Sequence, residues 1–215
     1  MIDLHIFTNS TQYAPNVDTL LRTFNSFTDT FGKPNTVSVW CDSKPNIKAS
    51  QGYKTNLEDA GFNVTLTTCM ADGYKKAVSS SQSKYMFMLE HDWVFIDKNI
   101  HHNLEELTEM MEINDLFHLR FNKRNTDQFA WDTNLEDTAD NYCLTDSVSN
   151  NPHIIHRERY IERALQYVEV PPLGERGGIE QPLTAVEALR GAIYGKVGHP
   201  QTVQHTDARN RLGKR

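Results

Sequence analysis

The first half of the chain alternates between short apolar segments and longer segments in which apolar residues recur at helical spacing. Residues 2–8 are apolar and β-branched, which predicts a strand. Residues 16–32 repeat apolar side chains every three or four positions before a glycine, which predicts a helix. The alternation continues with strands predicted at 35–42, 62–68 and 85–95, and with helices predicted at 47–61 and 72–84, the latter capped by Asp72. This order predicts a mostly parallel sheet with helices on both faces, and such sheets bind ligands beyond the carboxyl ends of their strands.

The second half is less regular. We predict a helix at 103–113, a strand at 115–122, a strand running into a helix at 152–168, and a helix at 181–191. A polar excursion over 123–150 and a loop rich in proline and glycine over 171–182 separate them. The sequence has no internal repeat and no linker-like segment, so we expect one domain over residues 1–215.

Composition and charge narrow the class of protein. The chain is 38% hydrophobic and 23% charged with a formal net charge of −6, so it is globular and its surface as a whole is not basic. Its three cysteines form neither a disulfide framework nor a zinc pattern, which predicts a reducing compartment. The sequence has no signal-peptide pattern and no apolar run of the roughly 18 residues that a membrane span needs, so we expect a cytoplasmic protein without a membrane partner.

Two carboxylates at the end of an apolar run are the main candidates for chemistry. Glu90 and Asp92 follow the apolar residues 85–89, and on a continuous strand their side chains would point to the same face. Burying a carboxylate costs several kcal/mol unless it is paired or binds a metal. Oxygen ligands suit Mg²⁺ or Mn²⁺, which in turn can hold a diphosphate. The residues alone leave open a metal site or a solvated turn.

Several segments, in order, resemble the nucleotide-sugar glycosyltransferases of the GT-A fold, especially the broad family two. Residues 5–10, HIFTNS, resemble the first strand and nucleotide loop, and residues 37–45, VSVWCDSKP, resemble the second strand with its acidic end. Residues 71–95 resemble the unit that ends in a metal-binding Asp-x-Asp, here Glu-His-Asp, and residues 192–205 resemble the segment that returns a late histidine to the metal. The resemblance implies a GT-A-like α/β fold with a Rossmann-type central mixed sheet flanked by helices. Within residues 1–215, it implies a nucleotide-sugar half over about 1–95 and an acceptor half over about 96–215.

The resemblance also implies roles for individual residues. Thr8 and Asn9 would lie along the nucleotide, Asp42 would accept hydrogen bonds from the base or ribose, and Lys75 and Lys76 could approach the diphosphate. The metal, Mn²⁺ or Mg²⁺, would be bound by Glu90, Asp92 and His205. Each residue has a structural alternative: a turn residue for Asp42, a solvated helix face for the lysines, and a structural role for the histidine.

The acceptor side is less defined. A glycosyl transfer that inverts the sugar needs a base, and the candidates are Glu175 and Glu180, although Glu180 could equally serve as an N-terminal helix carboxylate. Basic residues could contact nucleic-acid phosphates or the donor diphosphate, and they are Arg120, Lys123, Arg124, Arg209, Arg211, Lys214 and Arg215. Trp93 and Trp131 could stack on a sugar or base, or belong to the core.

The resemblance implies a metal-dependent glycosyltransferase that moves a sugar from a UDP-sugar to a hydroxyl group. Similarity to small bacteriophage glycosyltransferases suggests hydroxymethylcytosine in DNA as the acceptor, with a bacterial glycan or small metabolite as the rival. A nucleotidyltransferase is an alternative, although it would usually carry a glycine-rich loop after the first strand, and residues 7–16 contain no glycine. A non-catalytic nucleotide-sugar-binding module is the alternative from another class.

Overall fold

The structure is a computed structural model, and it describes residues 2–9, 17–43, 47–127, 132, 134–172, 178–186 and 189–206. Glu175, Trp131 and the basic residues beyond 206 lie outside the described residues. In the described part, no helix is both long enough and apolar enough to cross a bilayer.

A central mixed sheet organises the molecule. The described strands are β1 Asp3–Asn9, β2 Val37–Asp42, β3 Asn63–Thr67, β4 Tyr85–Glu90, β5 Trp93–Phe95, β6 His118–Arg120, β7 Glu136–Asp137, β8 Tyr142–Thr145, β9 His153–His156, β10 Gly191–Tyr194 and β11 Val203–His205. In the described residues, nine of them form one sheet in the order β3-β2-β1-β4-β9-β6-β10-β8-β7, and β5 pairs with β11 separately. The pairs among β1 to β4 and between β6 and β10 are parallel, and the others are antiparallel. The predicted α/β fold with a central mixed sheet is confirmed.

Helices cover both faces of this sheet. They are α1 Val17–Phe31, α2 Ile47–Asp59, α3 Met70–Ser80, α4 Leu104–Ile113, α5 Arg157–Arg163 and α6 Glu180–Thr184. Along β4, Phe87 and Leu89 face the core under α1, α2 and α4, while Met86 and Met88 face the core under α3, α5 and α6. This alternation buries β4 on both sides, because successive side chains of a strand point to opposite faces.

The predicted strand over 85–95 is wrong in one respect that matters for the site. The chain turns at His91 and Asp92, so β4 ends at Glu90 and β5 belongs to another sheet. The turn is fixed by backbone contacts: the N–H of His91 donates to the carbonyl of Phe7 at 3.0 Å, and the Thr23 hydroxyl donates to the carbonyl of His91 at 2.6 Å. Glu90 and Asp92 therefore do not lie on one continuous strand. Strand alternation does not place their side chains on the same face of a sheet.

Three other predictions also need correction. Helix α3 begins after Cys69, not Asp72; the Asp72 carboxylate lies in the first turn and accepts the backbone N–H of Thr68 at 2.9 Å. The helix predicted at 181–191 is only α6, because Gly191 begins β10 and pairs with β8 and β6. The polar excursion over 123–150 contains β7 and β8, which extend the main sheet.

Candidate functional site

The carboxyl ends of β1, β2 and β4 form a polar edge. In the strand register, Asn9 lies opposite Asp42 and Phe7 lies opposite Glu90, so β1 and β2 end level with each other and β4 ends two residues earlier. Strand order reverses here, because the chain proceeds from β1 to β2 and β3 on one side and places β4 on the other. In open α/β sheets, ligands bind at this kind of switch point.

A cleft at this edge brings four of the predicted residues together. Its lining includes Thr8, Asn9, Asp42 and Glu90. The cleft holds only ≈ 30 Å³, so a nucleotide would lie along its rim of polar groups and not inside it. Thr8 itself is buried, and its hydroxyl shares a hydrogen bond with the Tyr53 hydroxyl at 3.2 Å.

Asp92 and His205 form a second polar feature beside the turn that follows β4. The Asp92 side chain is buried, and its Oδ2 lies 3.1 Å from Nε2 of His205. Antiparallel pairing of β5 with β11 places His205 opposite Trp93, the residue after Asp92. The Asp92 carbonyl accepts both the N–H of Thr206, at 2.7 Å, and its hydroxyl, at 2.9 Å. The pairing of β5 with β11 and the hydrogen bonds of Thr206 to the Asp92 carbonyl therefore hold Asp92 and His205 next to each other.

The predicted metal ligands converge only in part. In the described part of the chain, no group of three histidine, cysteine, aspartate or glutamate side chains is arranged to hold a metal ion. Glu90 instead lines the cleft, while Asp92 and His205 approach each other within hydrogen-bonding distance.

Lys76 is not brought to the cleft. Its Nζ forms an ion pair with Asp72 at 2.8 Å on the outer side of α3, and half of its side chain is exposed. This arrangement corresponds to the solvated helix face that was the alternative for this lysine.

Glu180 lies at the start of α6, and its carboxylate contacts a neighbouring loop. Oε1 accepts the Ser149 hydroxyl at 2.7 Å and the backbone N–H of Asn150 at 2.7 Å. Asn150 in turn donates through Nδ2 to the sulfur of Met70 at 3.4 Å, and Met70 lines the cleft. Asn150 and Met70 thus connect Glu180 to the cleft at the ends of β1, β2 and β4.

Glu180 also lines a cavity of ≈ 680 Å³. It is lined by the segment after β6, the loop after β8 and helix α6, and its polar lining includes Arg120, Asn122, Lys123, Arg124, Asn151 and Glu180. Lys123 also reaches Trp93, with its Nζ 5.9 Å from the ring centroid, and the Trp93 ring lies 4.6 Å from the His205 ring. The cavity is therefore adjacent to both the cleft and the Asp92–His205 pair.

The interior next to this cavity holds a buried ion pair that the sequence reasoning missed. Arg120 is 3% exposed and binds Asp132 through Nη2, which also lies 3.4 Å from the Ser147 hydroxyl. A charged residue within the apolar run 116–121 was a signal that a buried partner is needed. That partner lies in the polar excursion, so local patterns could not identify it.

Tyr74, His153 and His118 form a second buried polar group. The Tyr74 hydroxyl is hydrogen-bonded to Nε2 of His153, whose Nδ1 lies 2.7 Å from the carbonyl of Asn151, and the two histidine rings are 4.5 Å apart. Burial lowers the pKa of His153 to about 4 and that of His118 well below its usual range, so both are neutral. Burial, with Tyr160 and then the carboxylates of Glu90 and Glu180, raises the pKa of Tyr74.

Comparisons with known proteins show the fold. No protein-family model matches the sequence, and no curated protein matches it either. The crystal structure of HddC from Yersinia pseudotuberculosis is similar, with a TM-score of 0.55, 11% identity, and coverage of 100% of this chain and 97% of that one. The crystal structure of GalNAc-T7 with UDP, GalNAc and Mn²⁺ is similar too, with a TM-score of 0.56, 11% identity, and coverage of 95% of this chain and 43% of that one. The chain thus has a GT-A-like fold and spans less than half of GalNAc-T7.

Proposed function

We propose that this chain is a glycosyltransferase that moves a sugar from a nucleotide diphosphate sugar to an acceptor hydroxyl group. The observation that carries the proposal is the convergence of Thr8, Asn9, Asp42 and Glu90 at the switch point of a GT-A-like sheet. Sheets of this kind bind nucleotides at this position. The donor we propose is a UDP-sugar, since the similar GalNAc-T7 structure contains UDP and GalNAc.

The strand ends would position the nucleotide. Asp42 is the last residue of β2 and can accept hydrogen bonds from N–H or O–H groups of the base or ribose. Asn9, level with Asp42, can both donate and accept along the same edge. Glu90 would lie near the sugar end, because it lines the cleft from β4, the strand that adjoins the second half of the sheet.

Asp92 and His205 fit a divalent cation as two of its ligands. A carboxylate oxygen and an imidazole nitrogen suit Mn²⁺, and their 3.1 Å separation resembles that of two neighbouring ligands of one six-coordinate ion, about 3 Å when metal–ligand bonds are about 2.1 Å. A cation there would neutralise charge on the departing diphosphate. Because the described residues contain no group of three side chains arranged to hold a metal ion, substrate oxygens and water would complete its shell.

Glu180 is the residue we propose as the base that activates the acceptor. It lines the large cavity, and both of its hydrogen bonds to the loop at 149–150 are accepted by Oε1. These bonds hold the carboxylate in one orientation, with Oε2 as the oxygen that would take a proton from an acceptor hydroxyl. Glu175, the other candidate, lies outside the described residues.

Duplex DNA with hydroxymethylcytosine receives less support as the acceptor than a small molecule does. Arg120, one of the basic residues predicted to contact phosphates at the surface, is buried and paired with Asp132. A cavity of ≈ 680 Å³ instead has the size of a typical small-molecule site.

Calorimetry with UDP-GalNAc and UDP-glucose tests the donor site. We expect binding in the presence of Mn²⁺, weaker binding after addition of EDTA, and a further loss in Asp42→Ala and Asp92→Asn. Asp97→Asn, which removes a nearby exposed carboxylate, is the control and should bind like the wild type. Absence of binding to any nucleotide sugar in the wild type contradicts the proposal.

Product analysis separates a glycosyltransferase from a nucleotidyltransferase. The first releases UDP and a glycoside from a UDP-sugar, whereas the second forms or consumes the nucleotide sugar together with pyrophosphate. Detection of pyrophosphate exchange without transfer of sugar would favour the nucleotidyltransferase. Tight donor binding without any turnover would favour the binding module.

A further inference from the structure

Two residues that line the large cavity beside Glu180 carry hydrogen-bond donors without a partner in the described part of the chain. Arg120 Nε and Asn122 Nδ2 have no partner among the described residues, and both side chains are at least 97% buried, with exposures of 3% and 2%. Native proteins rarely leave such donors unpaired, and each one is costly to bury. Both residues line the cavity. The cavity wall is therefore prepared for a ligand that accepts hydrogen bonds.

The backbone of Asn122 explains why its side chain remains available. Its N–H donates to the Thr202 hydroxyl at 2.8 Å, and its carbonyl accepts the N–H groups of Thr202 at 2.9 Å and Val203 at 3.2 Å. The main chain is thus tied to the segment that leads into β11, independently of the amide. The side-chain amide can therefore donate to a ligand without breaking the backbone hydrogen bonds to Thr202 and Val203.

The charges around the cavity favour an anion. Among the lining residues that the structure describes, Arg120, Lys123 and Arg124 are basic, while Asp132 and Glu180 are acidic. Asp132 already balances Arg120, and Glu180 is bound to the loop at 149–150. The described lining therefore has one more basic than acidic side chain, and Lys123 is held over the Trp93 ring.

We propose that this cavity binds an acceptor that carries an anionic group, a carboxylate or a phosphate, next to the hydroxyl that receives the sugar. The anionic group would accept hydrogen bonds from Asn122 and Arg120 and would be balanced by Lys123 and Arg124. This inference rests on the proposed glycosyltransferase function, and it adds the chemical class of the acceptor. The reacting hydroxyl would lie near Glu180, at the side of the cavity that adjoins the cleft.

The test uses the full chain and three sugar probes in calorimetry: glucose 6-phosphate, glucuronate and the neutral methyl glucoside. Each is titrated with and without UDP and Mn²⁺. We expect at least one of the two anionic sugars to bind, and methyl glucoside to bind at least about tenfold more weakly, as a charge-assisted hydrogen bond would give. The stronger of the two anionic probes identifies phosphate or carboxylate as the preferred group.

Substitutions of residues that line the cavity test whether they cause the preference for anionic sugars. Lys123→Gln combined with Arg124→Gln should weaken binding of the anionic sugar about tenfold or more and leave methyl glucoside unchanged. Lys196→Gln, which removes an exposed lysine outside the cavity lining, is the matched control. In NMR spectra, the side-chain amide of Asn122, assigned with Asn122→Leu, should shift when inorganic phosphate is added.

The binding results distinguish failure of the anionic acceptor from failure of the glycosyltransferase function. If UDP binds but neither anionic sugar does, or if methyl glucoside binds as tightly, the anionic acceptor is refuted and the donor site stands. If the anionic sugars bind and no nucleotide does, the cavity assignment stands and the glycosyltransferase function fails. An amide of Asn122 that does not respond to phosphate, or binding of duplex DNA without binding of either anionic sugar, also overturns the inference.

Discussion

Replacement of His5 with asparagine should make the protein less sensitive to mild acid. His5 lies on β1 and is 3% exposed, and its Nδ1 accepts the indole N–H of Trp40 at 3.0 Å. Burial lowers the pKa of His5 from 6.5 to about 4, a change that the nearby Asp3 only partly opposes. The folded protein therefore keeps this imidazole neutral at a pH where the unfolded chain protonates it.

The sign and size of the effect follow from proton linkage. Between pH 6.5 and about 4, the unfolded state binds more protons, so the free energy of unfolding falls as the pH decreases through this window. With these two pKa values, His5 alone lowers the free energy of unfolding by about 2 kcal/mol at pH 5 relative to pH 8. His153, whose pKa burial also lowers to about 4, adds a similar loss.

Urea unfolding at pH 8 and pH 5, followed by far-ultraviolet circular dichroism, measures this difference. Asparagine can still accept the Trp40 N–H through Oδ1 but has no titrating group, so we expect His5→Asn to lose about 2 kcal/mol less than the wild type over this range. The carboxyl group of Asp3 does not interfere: burial tends to raise its pKa, but hydrogen bonds, that from Thr36 foremost, keep it below 3.8. His101→Asn removes an exposed imidazole and is the control. A pH dependence in His5→Asn as steep as that of the wild type would refute the reasoning.

Three further substitutions test packing, capping and the buried polar group. Phe27→Ala, at a fully buried ring that packs against three other phenylalanines, should lower the free energy of unfolding by about 3–5 kcal/mol in urea titrations. Asn103→Ala removes the side chain that accepts two N–H groups at the start of α4 and should cost about 1 kcal/mol, whereas Asn103→Asp should cost less. Tyr74→Phe removes the hydroxyl bound to His153 and should cost about 1–3 kcal/mol, while the exposed Tyr167→Phe should be neutral; equal effects of the two would contradict the buried bond.

The parallel half of the fold was predictable because its signals are local. From β1 to β4, each strand and helix carries its own periodicity, and the order of those elements restricts the sheet to few topologies. The structure confirms all of these elements, apart from shifts at their ends. The separation of β5 from β4 was not predictable, because it depends on pairing with β11, far away in the sequence.

Some residues of the candidate site could also be predicted from local sequence patterns, and others could not. Asp42 lies at a strand end that the sequence identifies, and Glu90 follows the apolar run 85–89, although the predicted strand continued past it. The cleft between them follows from the order of the strands. The ion pair of Arg120 with Asp132 and the bond from Asn150 to Glu180 join segments without a common pattern. Such contacts depend on how loops pack over the second half of the sheet, and that packing has no periodic signal.

The pairing of β5 with β11 also has a consequence for the order in which the protein is assembled. Register contacts such as Phe95 with Val203 join distant parts of the chain, so they form slowly in comparison with the local strands. During synthesis the cleft residues emerge long before His205 does, and domains fold as their segments become available. A nascent chain can therefore form the polar edge at the ends of β1, β2 and β4 while Asp92 still lacks its contact with His205 and the edge of β5 is open. The Asp92–His205 pair is completed only when that edge closes, so a chain that contains the pair also has its last described strand in place.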